Sequence, residues 1–171
     1  MSAPPSRPSV QRPKQSLQQP ETALPWASTW LVDGYNVLHC AMLGGQPRSE
    51  LGWWGEPGRS LLVGRIENFD RLGCEEAAAA DRSGGSDPGP CSIWVVFDGP
   101  RPAPAPVSGG PQIVFAPSAD RWIVSRVRTS SEPEDMAVVS ADRQLAGRCR
   151  HAGAAVVSPR DFIAHCGAAP S

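Results

Sequence analysis

A single Lys, a single Tyr, three His and no apolar run near the ~18 residues that a membrane-crossing helix requires mark this chain of 171 residues. Its five cysteines, Cys40, Cys74, Cys91, Cys149 and Cys166, are an odd number without a C-x-x-C pair, so neither a disulfide framework nor a zinc knuckle is readable. The N-terminal stretch lacks the apolar core of a secretion signal. The expectation is a cytoplasmic protein with reduced thiols and no membrane segment. A phosphate-cradling G-x-x-x-x-G-K-[ST] loop is missing too, and no strand ends in a nucleophilic D-x-D pattern, which leaves a nucleotide-binding enzyme or a phosphatase without support.

What is present fits one domain with tails. Hydrophobic residues make up 40% and charged residues 19%, enough for an ordinary core without metal or disulfide staples. The 19 Pro and 17 Gly imply that much of the chain is loop. Residues 1–28 are rich in Pro, Ser and Gln and poor in large apolar groups, so they are expected to be a disordered arm. That arm carries Arg7, Arg12 and Lys14 against Glu21, a balance suited either to a solvated tail or to touching a polyanion. Residues 29–166 are expected to form the domain, and 167–171 a short tail.

Within the domain, apolar runs alternate with helix-period segments. TWLVDG reads as a buried strand emerging into a loop, and residues 43–58 as a loop. Leu61, Leu62, Arg65, Ile66, Phe69 and Leu72 mark a helix face, with Pro57 near its start and Gly73 as its stop. After a weak polar stretch, CSIWVVFDG is the strongest strand. A Pro/Gly loop at 99–111 precedes the strand QIVFA, and a helix opens at Pro117 and Ser118 with Ala119, Trp122, Ile123 and Val127 on one face. DMAVVSAD is the next strand, RQLAGRCRHAG a helix stopped by Gly153, AAVVS a strand and PRDFIAHC a last helix. This alternation predicts an α/β fold with a mainly parallel sheet. Trp94 and Trp122 are expected in the core.

In such sheets the ligand site lies beyond the carboxyl ends of the strands. Asp33, Asp98 and Asp142 stand at those ends, and Asp120 lies in the first turn of a helix that starts on the same edge. Each alone has an ordinary explanation as a turn former or a partner of the helix dipole. Together they place four carboxylates where their charges conflict unless a cation intervenes. Oxygen ligands favour Mg²⁺ or Mn²⁺ over zinc, and such ions clamp a phosphodiester and acidify a bound water. The chemistry expected is metal-dependent phosphodiester hydrolysis.

DGYN at 33–36, FDG at 97–99, and SAD at both 118–120 and 140–142 resemble the YacP-like NYN domain family, relatives of PIN-domain ribonucleases. The resemblance spans about residues 29–165 and implies a PIN-like three-layer α/β/α sandwich, a hydrolase of the (endo)ribonuclease class and a cytoplasmic setting. It further implies Asp33, Asp98, Asp120 and Asp142 as metal-binding acids, Asn36 and Ser140 as polar site residues, RNA as partner, and ribosome-associated RNA by family analogy alone. Asn36 and Ser140 would orient Asp33, a phosphate or a metal-bound water, or else simply suit a turn and a strand end. Arg65 resembles the family's helix arginine, reaching a phosphate or site carboxylate, or else snorkels along its helix. One departure stands out: Arg121 follows Asp120 where the family commonly has a second acid. It either removes a metal ligand or supplies a phosphate contact.

The formal net charge of −1 becomes +3 once the four site Asp are set aside, and all basic residues but Lys14 are Arg, which binds phosphate bidentately. Arg121, Arg126, Arg128, Arg143, Arg148 and Arg150 fall on two helices flanking the site strand, where they could flank an RNA path. Arg65, Arg121, Arg126 and Arg143 are the candidate RNA contacts. Trp53 and Trp54 either stack on unpaired bases or close over an apolar face. His39, His151 and His165 show no partner pattern. The leading expectation is a Mg²⁺- or Mn²⁺-dependent ribonuclease leaving a 5′-phosphate; the alternative is a catalytically weak RNA-binding module of the same fold.

Overall fold

A computed structural model describes residues 24–43, 55–81 (side chains to Phe69), 91–102 and 110–167. Five strands, β1 (Thr29–Asp33), β2 (Ser92–Asp98), β3 (Gln112–Ala116), β4 (Met136–Val139) and β5 (Ala155–Val157), form one sheet in the order β3-β2-β1-β4-β5. Every pairing is parallel, including Thr29 with Ser92 and with Met136 on its two sides. The sheet expected to be mainly parallel is wholly so, and β1 lies at its centre.

Alternation along the strands builds two cores. Trp30, Val32, Ile93, Val95, Phe97, Ala137, Val139 and Val157 face one side, where they meet Leu62 and Ile66 of α2 (Glu56–Asp81) and Phe162 and Ile163 of α5 (Pro159–His165). Leu31, Val96, Met136 and Val138 face the other, against Ile123 and Val127 of α3 (Ala119–Arg128) and Leu145 and Cys149 of α4 (Arg143–His151). Strands buried on both faces read as continuous apolar runs, which is why they stand out in the sequence. The result is the three-layer α/β/α sandwich expected.

Several local expectations are corrected. DGYN does not leave β1 as a loop: Asp33 caps a short helix, α1 (Gly34–Val37), which continues as a π turn over Leu38–Met42. Gly34 is needed there because a Cβ would collide with the Phe97 ring. Helix α2 begins at Glu56, inside the expected loop, and runs through Gly73 to Asp81. The alanines and glutamates of CEEAAAAD favour helix strongly enough to carry it past a glycine costing about 1 kcal/mol. Leu61 is exposed, lying off the face defined by Leu62, Ile66 and Phe69.

Trp94 and Trp122 are only partly buried; they lie at the core margin with ring centroids 5.8 Å apart. Gly153 does stop α4, with φ at +106° and its amide donating to the carbonyl of Arg150. Leu24 and Ala27, within the stretch expected as an arm, pack on the core, while Trp26 is exposed. Residues 1–23, Trp53 and Trp54, the side chains of Leu72 and Cys74, most of the 99–111 loop, and 168–171 of the expected tail lie outside the described residues. Among the described residues no helix is long and apolar enough to cross a membrane.

Candidate carboxylate site

The strand order reverses at β1, whose neighbours β2 and β4 come from opposite ends of the winding. A crevice at the carboxyl ends is expected at this reversal. Asp33 closes β1 there and is 5% exposed. Its Oδ1 accepts from the Asn36 amide at 3.4 Å, and its Oδ2 from the Ser140 hydroxyl at 2.9 Å. Ser140 lies just past β4, so this bond spans the reversal point. The Ser140 Oγ also accepts from the Asp142 amide at 3.1 Å, and Asn36 Oδ1 accepts from the Ala141 amide at 2.8 Å. Asn36 and Ser140 thus tie the β1–α1 turn to the β4–α4 turn and fix the Asp33 carboxyl group.

The other acids are held by helix starts. Asp98 Oδ1 accepts from the Ala119 amide at the head of α3, 2.8 Å away. Asp142 is the N-cap of α4, its Oδ1 accepting from the Gln144 and Leu145 amides at 2.7 and 2.9 Å. Ser118 caps α3 through the Arg121 amide. Asp120, in the first turn of α3, meets the Arg148 guanidinium of α4 at 3.2 Å. Negatively charged groups at helix starts are stabilised by unpaired amides and the helix dipole, so the capping duty and a site duty coexist.

Electrostatics shows these carboxylates to be within each other's field. Burial pushes the Asp33 carboxyl up to about 6; the Ser140 and Asn36 hydrogen bonds oppose it, and the charges of Asp120 and Asp98 add to it. Asp120 is raised by burial, then by Asp142 and by Asp98, and is held back by Arg148. The four are nevertheless not gathered into a chelate: among the described residues no three His, Cys, Asp or Glu side chains form a group able to hold a metal ion. The cause is visible in the bonds above, since Asp98 and Asp142 turn toward backbone amides and Asp120 toward Arg148. All four remain hard oxygen donors at one edge, the donor chemistry that suits Mg²⁺ or Mn²⁺.

Of the candidate RNA contacts, Arg121 and Arg143 are exposed in the first turns of α3 and α4, beside the carboxylates. Arg126 is exposed as well but lies elsewhere: α3 runs back down the sheet and carries it to the opposite edge. There its guanidinium lies 5.2 Å over the Trp94 ring and borders a cleft with Ser28, Thr29 and Met136 at the strand starts. Arg65 donates to the Gly167 carbonyl at 3.1 Å, beyond the end of α5, rather than to a site carboxylate. Sequence reasoning set Arg148 among the arginines flanking an RNA path but did not pair it with Asp120, because that meeting depends on how α3 packs on α4. It likewise passed over Tyr35, whose hydroxyl accepts from Arg59 at 3.3 Å and whose ring packs 5.0 Å from Phe97.

No protein-family model and no curated protein matches the chain. Solved structures do resemble it. Rae1 (YacP) from Bacillus subtilis matches with a TM-score of 0.54 and 17% identity, over 81% of this chain and 72% of that one. A tryptophan-to-leucine variant of the same protein matches with a TM-score of 0.55 and 18% identity, over 81% and 74%. The fold of this chain is therefore similar to that of YacP.

Proposed function

We propose that this chain is a metal-dependent ribonuclease that hydrolyses RNA phosphodiester bonds at the carboxylate edge, with Mg²⁺ or Mn²⁺ as cofactor and a YacP-like NYN kinship. The observation that carries the reading is the placement of Asp33, Asp98, Asp120 and Asp142 along one edge at the sheet's reversal point, where burial, and after it the charges of Asp120 and Asp98, push Asp33 up to about 6. A site that costs this much electrostatic free energy is a functional candidate on physical grounds. The similarity in fold to YacP and the order of the DGYN, FDG and SAD motifs point the same way.

Asp33, Asp98, Asp120 and Asp142 would hold the cation. Bound there, it supplies Lewis-acid stabilisation of the charge that develops on a phosphodiester during in-line displacement. The chain's own residues do the rest. Ser140 and the Asn36 amide keep both Asp33 oxygens aimed, Asn36 holds the β4–α4 turn in register, and Arg121 and Arg143 supply guanidinium contacts to flanking phosphates. Ribosome-associated RNA as the substrate rests on family analogy, and a cytoplasmic location accords with reduced cysteines.

The second reading, a weakly catalytic RNA-binding module, is favoured by one observation: Asp120 is paired with Arg148, and Arg121 follows it where the family has an acid. Incubating the protein and its Asp33→Asn variant with labelled single-stranded RNA under Mn²⁺, Mg²⁺ or EDTA separates the two. Metal-dependent cleavage by the wild type alone is the expected result. Equal inactivity, with metal-independent RNA binding by both, would transfer the function to the binding module.

A further inference from the structure

Arg148 reaches the carboxylate edge from the neighbouring helix. Its Nε donates to the Gln144 carbonyl one turn back at 3.3 Å, which anchors the stem, and its Nη2 donates to Asp120 Oδ2 at 3.2 Å. Both side chains are open to solvent, at 42% and 38% of their full exposure. An ion pair this exposed is weak and exchangeable. Its geometry is single-pronged rather than bidentate, so the guanidinium keeps donors unspent. Asp120 also lies within the field of Asp98 and Asp142, and one guanidinium charge supplies half of what a divalent ion would bring to that set.

We infer that Arg148 is a resident counter-cation of the site: it competes with the divalent ion for Asp120, and once displaced it swings about its Gln144 anchor to take an RNA phosphate. The inference rests on the metal-dependent nuclease reading above. It accounts for the turn of Asp120 toward α4. It also couples the two ligands, because the ion frees the group that then binds the nucleic acid, and such coupling is reciprocal.

The test measures binding, not turnover. Mn²⁺ is titrated calorimetrically into the wild type, Arg148→Ala and Arg148→Lys without RNA, and a fluorescent single-stranded RNA is then titrated with and without Ca²⁺, used as a non-catalytic divalent ion. Arg148→Ala is expected to bind Mn²⁺ roughly three- to tenfold more tightly, as loss of a weak pair and of a repelling charge predicts. Arg148→Lys, which keeps the charge, is expected to stay near the wild type. The gain in RNA affinity on adding the divalent ion should shrink in Arg148→Ala. Unchanged or weaker Mn²⁺ binding by Arg148→Ala overturns this inference alone. Equal tightening by Lys overturns it as well, since it would show a loosened helix pair rather than lost counter-charge. If no protein binds Mn²⁺, the inference and the metal-dependent reading fall together.

Discussion

Asp33 combines two demands that oppose each other, burial at the centre of a sheet and ionisation at neutral pH. Its folded pKa of about 6 lies above the ordinary 3.8, so the folded state binds the proton more tightly. The sign follows: below pH 3.8 both states are protonated and no penalty exists; the penalty grows as pH rises and is complete above about 6. At about 1.4 kcal/mol per unit this amounts to about 3 kcal/mol. Asp33→Asn in EDTA should therefore melt at a higher temperature than the wild type near neutral pH and at the same temperature in acid, measured by calorimetry across pH. Ser140→Ala should act in the opposite direction. It strands Asp33 Oδ2 and the Asp142 amide, costing about 1–3 kcal/mol in urea unfolding, and raises the Asp33 pKa further by removing the bond that favours its charged form. Cys149 and Cys166, pushed by burial to about 11 and about 12, are the thiols expected to resist alkylation in the folded protein.

Helices and turns decide where those residues point. Gly34 allows α1 to start against Phe97, so Gly34→Ala must displace the ring or the turn; overpacking of this kind costs about 1–3 kcal/mol and should also disturb Asp33, readable as lower stability together with weaker metal binding. A cap on the same edge that bonds to none of the four acids gives the control. Ser158 accepts from the Asp161 amide and donates to the Asp161 carboxylate at the head of α5, so Ser158→Ala should cost about 1 kcal/mol of stability while leaving RNA cleavage and binding unchanged. These local features separate what the sequence reveals from what it hides. The five strands were legible because each is apolar throughout, and the α3 and α4 boundaries because Ser118, Asp142 and Gly153 carry capping and stop chemistry. The end of α2 was not, because Gly73 is weak punctuation beside an alanine run. The helical start of DGYN was hidden as well, since Asp33 and Gly34 suit a loop as well as an N-cap; the Phe97 ring that demands the glycine lies far along the chain.

For the molecule as a whole, the four acids were findable from topology alone, since parallel strands and following helices share one edge. Their partners were not. Arg148 and Asp120 meet only because α3 and α4 pack side by side, and Arg126 leaves the site only because α3 descends the sheet for its full length. The arginines that remain at the edge make a prediction at this scale: replacing Arg121 and Arg143 by Gln should weaken RNA binding across sequences and flatten the slope of log K against log salt by about 0.7 for each single-strand phosphate that the protein no longer neutralises. The strand order has its own consequence. β1 is made first yet sits in the middle, paired on one side with β2 and on the other with β4, so that Thr29 waits for Met136 to leave the ribosome. Until then a nascent chain carries a hydrophobic strand with an open flank, and that closure brings together segments more than a hundred residues apart, as the Ser140 bond to Asp33 does. Synthesis rate and chaperone cover over that interval, rather than final stability alone, are what govern the yield of folded protein.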